Sequence, residues 1–586
     1  MTAATTLWAP AARRVDLHLP ATGHVRPMAP AGSGWWTAPP LAHGTDYGFA
    51  LDGGPVRPDP RTAWQPAGVH GPSRVFDTSR HHWSDTGWAG RDVRGAVVYE
   101  LHVGTFSPAG TLDGAVDRLD HLADLGVDMV ELMPVAAFPG RHGWGYDGVA
   151  LYAVHEPYGG PAALQRFVDE AHARGLAVCL DVVHNHLGPS GNYLAEFGPY
   201  FTPRHHTPWG PGVNLDGSDA APVRAFVLNS VVRWLEEFHL DALRLDAVQE
   251  LADDSPRHLL AEMSDVVAEV AARTGRPRSL VAESDLNDAV MVTPTAQGGL
   301  GMTAQWADDV HHALHTVLSG ERHGHLADFG TVEGLAHALR RVFVNDGRHS
   351  TFRAARWGRP VPPGTDGHRF VVCTSNHDQV GNRALGDRPS ASLPADALAV
   401  SAALVLTSAC TPMLFMGEEW GASTPFLFFT DHEEPMLAAS VREGREVEFG
   451  GAGWAGIYGH DVEVPDPQDP TSFSASRLDW SEPAQPGHRR LLDWYRRLVE
   501  LRRAEPDLAD GDLDAVRVVH GDGWLVMARG ELRIAVGWGE GSCELPLDGE
   551  AVEVVTAWDP VRVHGGTVTL DGPGCAVVRV GPVRSP

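Results

Sequence analysis

The amino-acid sequence predicts a protein of the α/β class, a (β/α)8 TIM barrel flanked by N-terminal and C-terminal β-sandwich domains. Between about residue 95 and residue 505, short apolar runs alternate with amphipathic stretches of helical period. The apolar runs are continuous, as parallel strands covered by helices on both faces require. Both ends of the chain consist instead of short strand-like runs separated by turns, and 586 residues are enough for several domains.

Residues 1–90 form the predicted N-terminal domain. Runs such as Val15–Leu19 and Tyr47–Leu51 lie between turn signals, which is typical of a small β-sandwich. Trp35 and Trp36 stand next to each other there, and two interpretations are open. They either stack on sugar rings, as in a carbohydrate-binding domain, or pack inside the domain.

Residues 91–505 form the predicted barrel, with long excursions at about 188–219 and 420–480. Helical patterns such as Thr111–Leu125 and Ala220–Phe238 separate the strand candidates, and Arg489–Arg503 is the predicted last helix. The eight predicted strands are Val97–Val103, Met129–Pro134, Ala177–Val183, Ala242–Ala247, Leu280–Ala282, Met302–Trp306, Phe370–Thr374 and Met413–Met416.

Residues 506–586 return to short strands and predict a second β-sandwich. The predicted strands are Val516–Val519, Trp524–Arg529, Leu532–Gly537, Val552–Thr556 and Cys575–Val580.

Composition narrows the class of protein. The formal net charge of −29 disfavours nucleic acid as a partner, because an acidic surface repels phosphates. The 5 cysteines are widely spaced, which predicts free buried thiols and no metal-binding cysteine pair. The N-terminus lacks the apolar core of a signal peptide and no run is long enough to cross a membrane, so we expect a cytoplasmic protein without a membrane partner.

Polar side chains lie at or just after the carboxyl ends of four predicted strands. Asp181 is near the end of the third strand, with Asn185 and His186 just after it, and Arg244 and Asp246 are near the end of the fourth. Glu283 follows the fifth, and Asn376-His377-Asp378 follows the seventh. A single polar strand end is usually solvated or caps a helix. Four of them at the carboxyl face of a barrel, where catalytic groups lie, predict an active site.

Asp246 and Glu283 suit the cleavage of a glycosidic bond with retention of configuration. That reaction needs one carboxylate nucleophile and one protonated carboxyl about 5–5.5 Å away, and neighbouring strands lie about 4.8 Å apart. Arg244 shares a strand face with Asp246 and favours its ionised form. Glu283 follows an apolar run and has no basic neighbour in the sequence, so burial is expected to raise its pKa and make it the general acid.

Three further residues fit the same reaction. Asp378 can accept hydrogen bonds from sugar hydroxyls and offset developing positive charge. His186 and His377 can hold hydroxyls of the same ring, although either could instead be a structural histidine whose hydrogen bonds are satisfied within the protein.

These segments resemble the conserved regions of the α-amylase family of glycoside hydrolases. The matching segments are Asp181–His186, Leu243–Val248, Ala282-Glu283 and Asn376-His377-Asp378, in the same order. The resemblance implies a (β/α)8 barrel, retention of configuration, and Asp246, Glu283 and Asp378 as the catalytic residues. It also implies substrate contacts by Asp181, Asn185, His186, Arg244 and His377, and by Tyr146 stacking on the ring being cleaved.

Within that family, several segments look like those of the malto-oligosyltrehalose trehalohydrolases. They are Gln305–His315, Phe428–His432, Val441–Arg445 and Pro58–Pro60 with the residues that follow it. That subgroup hydrolyses the α-1,4 bond next to the terminal trehalose of a malto-oligosyltrehalose. Ala307 and Ser284 depart from the pattern, outside the catalytic residues.

Residues that would recognise trehalose are expected in the same segments. The suspected residues are Asp308, Asp309, His311, Asp431 and His432. An alternative for Asp308 and Asp309 is that they cap the helix after the sixth strand.

Three alternatives stay open on the sequence: a glucan branching enzyme, another hydrolase of the α-amylase family, and a non-catalytic glucan-binding protein. The Asn376-His377-Asp378-Gln379 form disfavours the first, and the complete set of carboxylates disfavours the last. No organic cofactor is needed. Some members of the family bind calcium near the position of Asn185, but no calcium-loop spacing is present and we expect no metal to be required. A maltooligosyltrehalose synthase is the expected supplier of substrate, without a stable complex.

Overall fold

Eight parallel strands close into a barrel, which confirms the predicted fold class. The computed structural model describes residues 5–449, 454–458 and 462–581. In chain order the strands are β1 (Val98–Leu101), β2 (Met129–Leu132), β3 (Ala177–Val182), β4 (Ala242–Leu245), β5 (Ser279–Ala282), β6 (Ala304–Trp306), β7 (Phe370–Cys373) and β8 (Thr411–Phe415).

Helices surround the barrel and bury their apolar faces on the strands. The longer ones are Gly160–Ala173, Ala220–Glu237, Leu259–Thr274, Asp308–Ser319, Val332–Arg341, Ala395–Leu406, Pro435–Phe449 and Pro486–Ala504. The shorter ones are Val103–Phe106, Leu112–Val116, Leu119–Leu125, Leu194–Phe197, His377–Gly381, Pro389–Ser392, Trp454–Tyr458, Pro470–Ala475 and Pro506–Ala509. None of the described helices has both the length and the apolar character needed to cross a membrane.

One predicted helix is divided. The sequence predicts a continuous helix over Thr111–Leu125, but a turn at Asp117 and Arg118 interrupts it. There the Arg118 guanidinium lies 4.5 Å from the centre of the Trp480 ring. This contact joins residues far apart in the sequence, so the hydrophobic period gives no sign of it.

Strand register decides which side chains meet at the carboxyl end of the barrel. Leu245 on β4 pairs with Ala282 on β5, so the next residues, Asp246 and Glu283, emerge side by side. Asp181 on β3 likewise pairs with Arg244 on β4. Small and apolar side chains that are almost fully buried form a cluster in the barrel below them.

The N-terminal strands form two antiparallel sheets, as the predicted β-sandwich requires. One contains Thr5–Trp8, Trp35–Ala38 and Ala29–Gly32, and the other contains His24–Pro27, Val15–Leu19, Asp46–Leu51, Val56–Arg57 and Ser73–Arg74. Trp35 and Trp36 are successive strand residues, so their rings point to opposite faces and form no joint platform. The Trp36 indole donates to the Ala9 carbonyl at 3.2 Å, which favours the packing interpretation.

The C-terminal strands also form two sheets. The larger sheet contains Arg517–Gly521, Trp524–Arg529, Leu532–Gly537, Gly574–Val580 and Ala551–Ala557, which were predicted to within two residues at each end. The smaller sheet contains Ser542–Pro546, Thr567–Asp571 and Arg562–His564, and the sequence prediction missed all three. These strands are short and largely polar. Their few apolar side chains pack on the apolar face of the larger sheet, and this packing stabilises them as strands.

Both excursions contribute to the carboxyl face of the barrel. The first, at about 188–219, holds a hairpin of Phe201–Thr207 and Gly210–Val213. The second, at about 420–480, holds the exposed helix Pro435–Phe449; its residues 450–453 and 459–461 lie outside the described ones. A further hairpin, Arg348–Ser350 with Ala355–Trp357, was not predicted.

Candidate active site

Arg244 is the centre of a polar cluster at the carboxyl end of the barrel. Its buried guanidinium contacts three carboxylates: Nη1 lies 2.7 Å from Asp181 Oδ2 and 3.1 Å from Asp246 Oδ1, and Nη2 lies 2.9 Å from Glu283 Oε2. The Trp306 ring lies 4.3 Å from the guanidinium carbon and covers its other side. One cation therefore holds both predicted catalytic carboxylates in the same place.

Asp246 is held on both carboxylate oxygens. Oδ1 accepts a hydrogen bond from Arg244, and Oδ2 accepts one from Asn185 Nδ2 at 2.8 Å. The same Asn185 amide lies 2.7 Å from the Asp246 carbonyl oxygen. Donors on both oxygens stabilise the negatively charged carboxylate and fix its direction, as a nucleophile needs.

Glu283 lies in a different environment. Burial raises the pKa of Glu283 well above its usual value; Arg244 opposes this shift, and the carboxylates of Asp246 and Asp378 add to it. Glu283 has no basic neighbour in the sequence, but strand pairing brings Arg244 next to it. The backbone N–H of Ala247 donates to Oε2 at 2.7 Å and orients the carboxyl group. The raised pKa favours the protonated form that a general acid needs.

Tyr146 and His377 form the adjoining side of the site. The Tyr146 hydroxyl donates to Asp181 Oδ2 at 2.6 Å and lies 2.8 Å from His377 Nε2. Burial by itself would lower the pKa of His377, but the carboxylates of Glu100 and Asp378 outweigh burial and raise it to about 10. His377 is therefore a cation at neutral pH. Burial likewise raises the pKa of Asp181 to about 6, against the opposing effect of Arg244.

Glu100 is a site residue that sequence reasoning missed. It lies on β1, and its carboxylate accepts from His377 Nδ1 at 2.5 Å and from the His377 backbone N–H at 2.9 Å. The sequence did contain a signal, because Glu100 is a charged residue within the apolar run Val98–Leu101. Burying such a charge costs free energy unless it is paired.

Trp209 is a second missed residue. Its ring stacks on that of His186 with 4.1 Å between centroids, and 51% of its surface stays exposed. His186 in turn contacts the Tyr146 carbonyl oxygen through Nε2 at 3.0 Å. The hairpin of the first excursion therefore adds an aromatic surface beside Tyr146, where a sugar ring can stack.

Two clefts are lined in part by the predicted site residues. The first, of about 140 Å³, is lined by residues that include Trp144, Tyr146, Asp147, His186, Trp209, Phe428, Asp431 and His432. The second, of about 540 Å³, is lined by residues that include His311, His315, His323, His325, Phe352, Asp378, Arg383 and Trp454. Tyr146 and His186 line the first cleft, and Asp378 lines the second.

The suspected recognition residues do not lie together. Asp431 and His432 line the first cleft, where Asp431 accepts from the Arg141 backbone N–H at 2.7 Å. His311 lines the second cleft. Burial, followed by the neighbouring histidines, lowers the pKa of His311 well below its usual value, so its imidazole is neutral. A neutral imidazole both donates and accepts hydrogen bonds and suits a sugar ligand.

Asp308 and Asp309 have different surroundings. Asp309 is buried, and its Oδ2 accepts from the backbone N–H groups of Val344 and Asn345 at 2.7 and 2.8 Å, so it fastens a loop. Asp308 is half-buried, and burial, then Asp378 and Asp309, raises its pKa to about 7. The helix has Ala307 at its N-cap, so neither aspartate is the capping residue.

One group of potential metal ligands lies apart from this site. Among the described residues, His205, Asp216 and Asp254 approach one another closely enough to share an ion. Arg204 already pairs with both acids, at 3.3 Å from Asp216 and 3.8 Å from Asp254. A guanidinium therefore supplies the cation that these carboxylates need. Asn185, near which relatives were expected to bind calcium, uses its amide on Asp246 and His186.

Glu131 lies deeper in the barrel on β2, as the register partner of Glu100. Burial, followed by the Glu100 carboxylate, raises the pKa of Glu131 to about 8, against 4.5 for an unperturbed glutamate. Between these two pH values the unfolded chain loses this proton and the folded chain keeps it. The free energy of unfolding therefore falls as pH rises through that range.

Glu131→Gln is expected to remove this decrease in the free energy of unfolding at high pH, because glutamine does not ionise. The variant should be more stable than the wild type by about 1–3 kcal/mol at pH 8, or roughly 1–3 °C in Tm, and equal to it near pH 4.5. Thermal unfolding at the two pH values measures the difference. A variant that is destabilised equally at both would contradict the protonated state of Glu131.

Known proteins resemble the chain over its whole length. The family model described as the α-amylase catalytic domain matches residues 72–204. Two proteins named malto-oligosyltrehalose trehalohydrolase are similar throughout. The one from Arthrobacter ramosus is 49% identical over 578 residues, covering 98% of this chain and 99% of the relative. The one from Mycobacterium tuberculosis (strain ATCC 25618 / H37Rv) is 47% identical over 584 residues, covering 98% of each.

A solved structure shares the fold closely. A crystal structure of a Salmonella typhimurium protein, described as an α-amylase, superposes with a TM-score of 0.89. It is 37% identical and covers 99% of this chain and 97% of its own. The architecture described above is therefore found as a whole in a crystallised relative.

Proposed function

Because the chain belongs to the malto-oligosyltrehalose trehalohydrolase family, we propose that it hydrolyses the α-1,4-glucosidic bond next to the terminal trehalose of a malto-oligosyltrehalose. The products are trehalose and a shortened maltodextrin. The observation that carries this proposal is the identity of 49% and 47% to two members along 98% of the chain. The arrangement of Arg244, Asp246 and Glu283 supports the chemistry.

In the first half of the reaction, Asp246 attacks the anomeric carbon of the glucose unit that precedes trehalose. Glu283 donates its proton to the glycosidic oxygen as the bond breaks, so trehalose leaves with a complete hydroxyl group. The glucan stays attached to Asp246 as a β-linked ester. Asp378 offsets the positive charge that develops on the ring, and Arg244 and Asn185 hold the Asp246 carboxylate in position until it attacks.

In the second half, Glu283 has lost its proton and acts as a base. It takes a proton from water, the hydroxide oxygen bonds to the anomeric carbon, and the ester bond to Asp246 breaks. Two inversions give a maltodextrin with the α configuration. Two carboxyl groups and water balance this sequence, so the proposal includes no cofactor.

The clefts suggest where each part of the substrate lies. We assign the glucan to the first cleft, where Tyr146 and Trp209 offer aromatic faces, and His186 and His377 lie within reach of hydroxyls. We assign trehalose to the second cleft, whose volume of about 540 Å³ is in the range of small-molecule sites. The neutral imidazole of His311 and the 57% exposed Phe352 suit a disaccharide without charge.

The products identify the activity. We expect maltotriosyltrehalose to give free trehalose and maltotriose, and maltopentaose to change little, with chromatography as the measurement. NMR of the fresh product should show the α anomer first. Equal cleavage of both substrates would make the protein a general α-glucan hydrolase. Cleavage of neither, with new α-1,6 branches on amylose, would make it a branching enzyme.

The proposal also includes the cellular compartment of the enzyme and the source of its substrate. All 5 cysteines are free and 4 of them are buried, which suits a reducing compartment such as the cytoplasm. A maltooligosyltrehalose synthase would supply the substrate by diffusion, without a stable complex between the two enzymes.

A further inference from the structure

Two glutamates lie side by side inside the barrel and differ in their partners. Glu100 on β1 and Glu131 on β2 are register partners, with 1% and 2% of their surfaces exposed. The Glu100 carboxylate receives two hydrogen bonds from His377, through the backbone N–H and Nδ1. Glu131 Oε1 has no hydrogen-bond partner among the described residues. Of the two glutamates, Glu100 is therefore the one that holds a site residue, His377.

Hydrogen-bond direction fixes the protonation of His377. Asp181 Oδ2 accepts from Arg244 at 2.7 Å and from the Tyr146 hydroxyl at 2.6 Å, so the tyrosine proton points to Asp181. At 2.8 Å from that hydroxyl oxygen, His377 Nε2 must be the donor. Nδ1 must also donate, because its partner is a carboxylate. Both ring nitrogens therefore carry a proton.

We propose that Glu100 is a positioning residue of the hydrolysis, which holds His377 as an imidazolium so that its Nε2 fixes Tyr146 beside the bond being cleaved. This inference rests on the proposed function. Glu100 lies below the substrate and acts only through His377. A hydrogen bond with an ionised donor is roughly twice as strong as a neutral one, so the charge on His377 strengthens the hold on Tyr146.

Other charged groups face His377 but do not replace Glu100. Asp378 Oδ1 lies 3.5 Å from Nε2 and is 38% exposed, so solvent weakens its effect. Arg244 repels a positive imidazole. The titratable groups that face His377 are Glu100, His102, Glu131, Tyr146, Asp181, Arg244 and Asp378.

Glu100→Gln tests the proposal, because glutamine keeps the shape and one acceptor oxygen but removes the charge. We expect kcat/KM to fall about ten- to hundredfold, the usual effect of losing a hydrogen bond to a charged group. His377→Gln should give a loss of similar size. The double variant should be no worse than His377→Gln alone, since Glu100 acts through that histidine.

Glu131→Gln is the matched control, because it removes a carboxyl from the neighbouring strand that contacts no site residue by hydrogen bond. It should keep wild-type kcat/KM at pH 6–7. Glu100→Asp, which restores the charge, should recover part of the activity that Glu100→Gln loses, and it serves if Glu100→Gln does not fold. Thermal unfolding of each variant reports its folding.

Three results would overturn the proposal: wild-type activity in Glu100→Gln, losses that add in the double variant, or no recovery in Glu100→Asp. A failure of the proposed function looks different, because the wild type itself would then release no trehalose. The comparison of variants is still possible in that case on whichever α-glucan the wild type cleaves.

Discussion

Replacing Asp246 with asparagine is expected to lower kcat/KM for malto-oligosyltrehalose by roughly 10⁴- to 10⁶-fold, the range for loss of a covalent nucleophile. Asparagine keeps the size of the side chain and its hydrogen bond with Asn185 or Arg244, so the fold should be preserved. What is lost is the negative charge that attacks the anomeric carbon. Trehalose release under initial-rate conditions measures the effect, and thermal unfolding confirms that the variant is folded.

Asp246→Gly provides a matched test of the same role, since it leaves room for a small anion. Added azide should restore cleavage of α-maltosyl fluoride and give the β-configured maltosyl azide, because one displacement replaces two. Near-normal turnover in Asp246→Asn, or an α-configured azide from Asp246→Gly, would assign the nucleophile to another residue.

The sequence was sufficient to predict that the candidate catalytic residues lie together, because their positions depend on chain topology. In a parallel barrel every strand ends at the same face, so polar residues after apolar runs meet without further information. The register pair Leu245–Ala282 shows why this worked, since the residues that follow it are Asp246 and Glu283. The eight strands were found for a similar reason, as buried parallel strands have continuous apolar runs.

Contacts between distant parts of the chain could not be predicted in this way. The pairing of Glu100 with His377 joins residues 277 positions apart, and only the closed barrel brings them together. Trp209 lies in an excursion whose direction the sequence does not determine, yet it stacks on His186. The smaller C-terminal sheet was missed because packing against the larger sheet, and not the local sequence pattern, determines where its strands form.

The same limit applies to electrostatics. The sequence placed Arg244 on the same strand face as Asp246, but it did not indicate that the guanidinium also lies 2.9 Å from Glu283. Burial still keeps the pKa of Glu283 raised. The assignment of acid and nucleophile therefore depends on how deeply each carboxyl is buried, and a sequence indicates this only through the apolar residues on either side.

Replacing Glu283 with glutamine is expected to lower kcat/KM for malto-oligosyltrehalose by roughly 10²- to 10⁴-fold, the contribution of general acid–base catalysis. The size of the loss should depend on the leaving group. Trehalose needs a proton to depart, whereas fluoride does not. With α-maltosyl fluoride the first step should therefore stay near the wild-type rate, and the glycosyl enzyme should accumulate, because no base activates water.

The pH dependence of this variant gives an independent check of the role. Wild-type activity should fall as pH rises through the raised pKa of Glu283, because the acid loses its proton. Glutamine has no proton to lose there, so Glu283→Gln should lack this descending limb. Azide should speed its turnover of α-maltosyl fluoride and give the α-configured azide, the opposite anomer to that from Asp246→Gly. Equal losses on both substrates, with the limb retained, would instead mean that Glu283 only positions the substrate and that another group supplies the proton.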